Sequence, residues 1–81
     1  MEVIGIKDVK FKTKEGDIVQ GVRLYVTDDS VKVNVGVACE VLFLSDSLLV
    51  RNNLGSGDFH LGDHLEISYN KFGKISSVTV L

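Results

Sequence analysis

Proline is missing altogether from this 81-residue sequence, and cysteine occurs once, as Cys39. A lone cysteine closes no internal disulfide, so the fold must hold without one, and a reducing, cytoplasmic setting is the expectation. No N-terminal segment has the basic, apolar character of a secretory signal, and no run nears the roughly 18 apolar residues of a membrane span. An excess of either charge is also lacking. The formal net charge is −2, which argues against a strongly basic nucleic-acid-binding domain.

The signatures of chemistry are equally scarce. There is no Cys-x-x-Cys, the Gly55-Ser-Gly57 stretch has no following Gly-Lys-Ser/Thr, and the serines lack a nucleophile-elbow context. His60 and His64 are four apart with Asp58 and Asp63 nearby, but such a pair converges only on a helix, and this segment carries Gly62-Asp63 and runs into a strand. The carboxylates are scattered rather than paired. Cys39, in an apolar run with no base beside it, reads as a small buried hydrophobe. The expectation is a chain that is not an enzyme, with no catalytic residue, metal or cofactor.

What is present is a β pattern. Apolar residues make up 44% and charged residues 25%, a globular rather than a disordered balance. One small domain over residues 1–81 is expected, burying only about 60% of its unfolded surface, so an oligomer would help it. Valine-rich runs separated by Gly/Asp/Asn clusters imply an all-β domain.

Residues 2–13 read as the first strand. Ile4 and Ile6 fall on one phase and Val9 and Phe11 on the other, which predicts a bulge near Lys7-Asp8. Lys14-Glu-Gly-Asp17 is a turn, with Gly16 free to take positive φ. The second strand, residues 18–27, has Ile18, Val22, Leu24 and Val26 on its core face and Arg23 and Tyr25 on the other. Residues 31–36 read as either a short edge strand or an ordered loop. Residues 37–44 are apolar on both phases except at Glu40, the mark of a strand covered on both sides, by the core and by a helix or a second chain.

From Ser45 to Gly55 the pattern becomes one or two helical turns. Ser45 or Asp46 is the N-cap, Arg51 suits the C-terminal dipole, and Gly55 is a possible stop. Leu48, Leu49 and Leu54 would plug the end of the core. Residues 64–70 and 74–81 close the chain as a hairpin around Asn70-Lys-Phe-Gly73, with Leu65, Ile67 and Tyr69 alternating with His64, Glu66 and Ser68.

The order β1-β2-β3-α-β4-β5 is that of an OB-like five-stranded antiparallel Greek-key barrel, with an SH3-like barrel the competing small-β answer. In an OB fold the ligand lies across strands 2 and 3, between the loops joining strands 1–2 and 4–5. Here those loops carry Lys12 and Lys14, and Lys71, Phe72 and Lys74, with Arg23 and Tyr25 between them. Cations that track phosphates and aromatic faces that stack on bases are what single-strand binding requires. The alternative is that hairpin-tip lysines only solvate and protect the edge. Charge distribution adds to the first reading. Residues 1–27 carry a net +1, residues 28–66 carry −5 and residues 67–81 carry +2, so adjacent ends could make a basic stripe.

The chain resembles short β-barrel proteins of Gram-positive bacteria and their phages and mobile elements. The likeness lies in Val41-Leu-Phe-Leu-Ser-Asp46, the later Gly-Asp turn and the closing Tyr69-Asn-Lys-Phe-Gly73 hairpin. More loosely it is similar to filamentous-phage single-stranded DNA-binding proteins, through Arg23, Tyr25 and Phe72. That similarity implies a dimeric, OB-like protein cooperative on single strands. The acidic middle and the short helix depart from that pattern. The expected function is single-stranded DNA or RNA binding with little sequence preference, by a homodimer. The alternative is a protein-interaction or structural accessory module of a phage or mobile element.

Overall fold

The computed structural model describes residues 1–81. Strict alternation sets the first layer. In β2 (Ile18–Thr27), Val22, Leu24 and Val26 are fully buried, while Val19, Arg23 and Tyr25 point the other way. β2 is the central strand of a three-stranded antiparallel sheet, flanked by β1 (Val3–Lys12) and β3 (Cys39–Ser45). The second layer is a two-stranded ladder of β4 (Leu65–Tyr69) and β5 (Ile75–Val80). Its Leu65 and Val78 join Val3, Leu42 and Leu44 of the first sheet in one core. Burial of each such side chain contributes about 1.5–3 kcal/mol.

The five strands and their order match expectation, but no closed barrel forms. Backbone hydrogen bonds join the two sheets only where residues 1–3 lie beside 62–65. There Glu2 and His64 form an isolated bridge, and Val3 donates to the Asp63 carbonyl while Leu65 donates to that of Met1. A bulge lies at this point, between Val3 and Gly5, and not near Lys7-Asp8. The extra residue raises the local twist and turns β1 away from β4, so the ladder stops after one bridge. The displaced bulge also reassigns Ile4, which faces out, whereas Ile6 pairs with Leu24.

α1 (Asp46–Arg51) packs against β2, β3 and β5 and buries Leu48 and Leu49. Ser45 is its N-cap, its hydroxyl accepting from the Leu48 N–H at 3.3 Å. The helix stops at Asn53 (φ 58) rather than at Gly55. Leu54 donates to the Leu49 carbonyl at 2.8 Å and Asn53 to that of Val50 at 3.1 Å, the paired bonds of a Schellman motif, with Leu54 packed on the core. A 3₁₀ turn over Ser56–Asp58 then delivers Phe59 into the core.

The β1–β2 hairpin outruns this core. Ile18 sits on the inner phase but is 63% exposed, since nothing packs beneath the strand beyond Gln20; it is not a core residue. The molecule is accordingly elongated, 44 × 27 × 26 Å. Residues 31–36 form a loop, not a strand. Its start is fixed by Ser30, whose N–H and hydroxyl both donate to Asp28 and hold that carboxyl below the usual carboxylate range. No helix is long and apolar enough to cross a membrane.

Candidate functional site

Register decides which side chains share a surface. Across the outer phase of the three-stranded sheet, Lys7 stands opposite Arg23 and Arg23 opposite Phe43. The next row is Gly5, Tyr25 and Val41. Phe11 stands opposite Val19 at the other end. Asp8 and Glu40 are the only carboxylates within these three strands, and both fall on the inner phase, paired with Val22 and Val26. The outer face therefore combines two cations with three aromatic rings, and within the strands it carries no negative charge.

Glycine shapes this face. Gly21 lies between Val19 and Arg23 on β2, and a Cβ there would strike the Leu44 carbonyl and come within 2.9 Å of Ser45 Cα. Without a side chain at that point, the Phe11 and Phe43 rings reach toward each other from opposite flanks of β2, their centroids 6.3 Å apart and their planes tilted by 49°. At Gly5 a Cβ would lie 3.1 Å from Tyr25 Cδ2, so the Tyr25 ring packs down over the glycine. Lys7 and Arg23 face each other as like charges, a pairing that costs stability on an exposed sheet unless an anion sits between them.

The seven residues singled out from sequence fall in three places. Arg23 and Tyr25 lie at the centre of the outer face. Lys12 stands at the far end of β1 and Lys14 beyond it, at the β1–β2 tip, but Lys12 pairs with Ile18 on the inner phase and so does not share the face of Arg23 and Tyr25 as expected. Lys71, Phe72 and Lys74 form the β4–β5 tip, where the Lys71 Nζ lies 5.2 Å from the Phe72 ring centroid and the ring is 74% exposed. The last group belongs to the other end of the sheet. Tyr69, at the end of β4, lies beside Glu40, which pairs with Val26, whereas Lys12 pairs with Ile18. Eight residues of β2 separate those levels, about 26 Å at 3.3 Å per residue. The two loops thus bracket the sheet lengthwise, and the β4–β5 ladder packs against its inner side.

Tyr69 is half exposed, and partial desolvation is the main cause of its raised phenol pKa, with the Glu40 and Asp28 charges adding to it. His60 Nδ1 lies 3.7 Å from Asp63, whose carboxylate also accepts the His60 N–H. Cys39 is exposed at the start of β3 rather than buried, because its odd-numbered phase is the outer one. Val41 and Phe43 are likewise uncovered by helix or sheet, so the helix expected as one possible cover for residues 37–44 does not lie on this side.

Lys7, Phe11 and Phe43 are the members of this face that sequence reading missed. Their signal was the doubly apolar phase of residues 37–44, together with the shared phase of Val9 and Phe11. No family model, curated protein or solved structure matches this chain.

Proposed function

We propose that this chain binds single-stranded nucleic acid, with little sequence preference, on the outer face of the β1-β2-β3 sheet. The observation that carries the reading is the Lys7–Arg23 pair set among Phe11, Tyr25 and Phe43 on a face whose strands present no carboxylate. A phosphate between the two cations would relieve their repulsion, and the neighbouring rings offer stacking surface to bases of any identity. Lys14 at one end and Lys71, Phe72 and Lys74 at the other would extend the strand's path, whereas Lys12, paired with Ile18, belongs to the inner phase. In this reading the protein is an OB-like variant with its barrel left open, of the kind resembled among phage and mobile-element proteins, acting in the cytoplasm. A homodimer formed through residues 37–44 would cover Val41 and Phe43, so it competes with nucleic acid for this face.

Fluorescence anisotropy with a labelled oligo(dT), at low and at physiological salt, tests the proposal. Affinity should fall steeply with salt, Arg23→Ala should flatten that dependence, and Phe43→Ala should cost about 1–3 kcal/mol. Phe72→Ala, at an exposed ring, decides whether the β4–β5 tip belongs to the site. Absence of binding at low salt, or wild-type affinity in both Arg23→Ala and Phe43→Ala, would overturn the reading. Val41 is 54% exposed and the β3 edge is unpaired, which favours a second reading, a protein partner adding a strand to that edge. That partner would bind independently of salt and would not need Arg23.

A further inference from the structure

Residues 31–37, Val-Lys-Val-Asn-Val-Gly-Val, have the composition and alternation of a β-strand, yet they lie in the loop between β2 and β3. From Lys32 to Val37 no backbone N–H or C=O forms a backbone hydrogen bond within the chain. Val31, Val33, Val35 and Val37 are all exposed, Val35 to 91%. β-Branched residues suit a pleated, half-buried surface and have little reason to alternate in a solvated loop. The segment lacks a partner strand, not a strand sequence.

The pattern also reads the same in both directions about Asn34: valine, any residue, valine, Asn34, valine, any residue, valine. We propose that residues 31–37 pair antiparallel with the same segment of a second copy of this chain, on a two-fold axis through Asn34. In that register Val31 faces Val37 of the second copy, Val33 faces Val35, and Asn34 faces its own counterpart. Lys32, the segment's one charge, faces Gly36, so no like charges meet. A slip of one residue would set valines against Lys32 and Asn34, which fixes the register. Gly36 now sits at φ 83 and, lacking a Cβ, can extend on pairing without a steric penalty.

The valines share the odd-numbered phase of Cys39, Val41 and Phe43 in β3, so an extended segment prolongs the outer face from one copy into the next. The contact is isologous and closes on itself. A two-stranded ribbon of this length is marginal by its own hydrogen bonds, so the association is weak and concentration-dependent. It requires no nucleic acid and does not depend on the proposed activity.

Sedimentation equilibrium over a concentration series, with nucleic acid absent, should show a monomer–dimer equilibrium. Val35→Lys should weaken it by about tenfold. In a Cys39→Ser background, Asn34→Cys should cross-link to a disulfide dimer under mild oxidation, since residues facing each other on the axis have Cα atoms about 5 Å apart. Lys32→Cys should not, because its counterpart is displaced four residues along the ribbon. A monomer at every concentration, a dimer indifferent to Val35→Lys, or equal cross-linking at positions 32 and 34 would overturn the proposal. A Val35→Lys monomer that still binds oligo(dT) would separate it from the nucleic-acid reading.

Discussion

Asn52 ties the helix to the second sheet. Its Nδ2 donates to the Leu48 carbonyl at 2.8 Å, while its Oδ1 accepts the Val78 N–H at 3.3 Å on the edge of β5 that faces away from β4. One side chain thus closes the C-terminal turn of α1 and occupies a strand edge beside a buried residue.

Asn52→Ala leaves the Val78 N–H without that acceptor, so a loss of about 1–3 kcal/mol is expected from urea unfolding. Asn52→Asp keeps an acceptor for Val78 but turns a carboxylate oxygen toward the Leu48 carbonyl at the negative end of α1, so it too should be less stable than the native chain.

Gly21→Ala should be costly although the change is one methyl. The new Cβ is driven into the Leu44 carbonyl and Ser45, and backbone yields less readily than a side chain. The expected loss is about 1–3 kcal/mol in the unfolding midpoint. Near-ultraviolet circular dichroism should change as the Phe11–Phe43 pair is displaced.

Asn53 holds φ 58, where a side chain is strained and glycine is not. Asn53→Gly should leave the fold unchanged and raise the thermal midpoint slightly, whereas Asn53→Ala should destabilise by about 1 kcal/mol. Asn tolerates this conformation better than alanine does, which is why the order of the two variants is the test.

The Tyr69 phenol is raised because partial desolvation of its half-exposed ring and the nearby Glu40 and Asp28 charges disfavour its ionised form. The fold therefore prefers the neutral phenol. Its contribution is whole below the unfolded tyrosine value of about 10 and is lost as pH climbs through the higher folded value. Chemical denaturation at rising alkaline pH should show stability declining in the native chain and a flatter course in Tyr69→Phe. An unchanged slope in the variant would remove Tyr69 as the cause.

Much of the fold was legible because alternation reports which way side chains point. The bounds of β2, the Ser45 cap and the closing hairpin all follow from local pattern. Alternation does not report whether sheets meet along one edge or close into a barrel, and that turned on a bulge two residues from where the chain enters β1. Phe59 carries no periodic signal, since it enters the core from a 3₁₀ turn. The outer face was only half visible. Arg23 and Tyr25 share one strand, but Lys7 and Phe43 become their neighbours through register, a property of pairs of strands. Residues 31–36 read as strand or loop because the strand pattern is there and no partner within the chain completes it.

The single Glu2–His64 bridge has a consequence for how the chain is made. Residues 1–45 contain the whole three-stranded meander, all its pairings between sequence neighbours, so it can form as it leaves the ribosome. Its inner face, Val22, Leu24, Val26, Leu42 and Leu44, is then bare until Leu48, Phe59, Leu65 and Val78 are synthesised to cover it. The interval between those two events is when this protein is most exposed to aggregation, and residues 46–80 act toward the first half of the chain as a shield that arrives last.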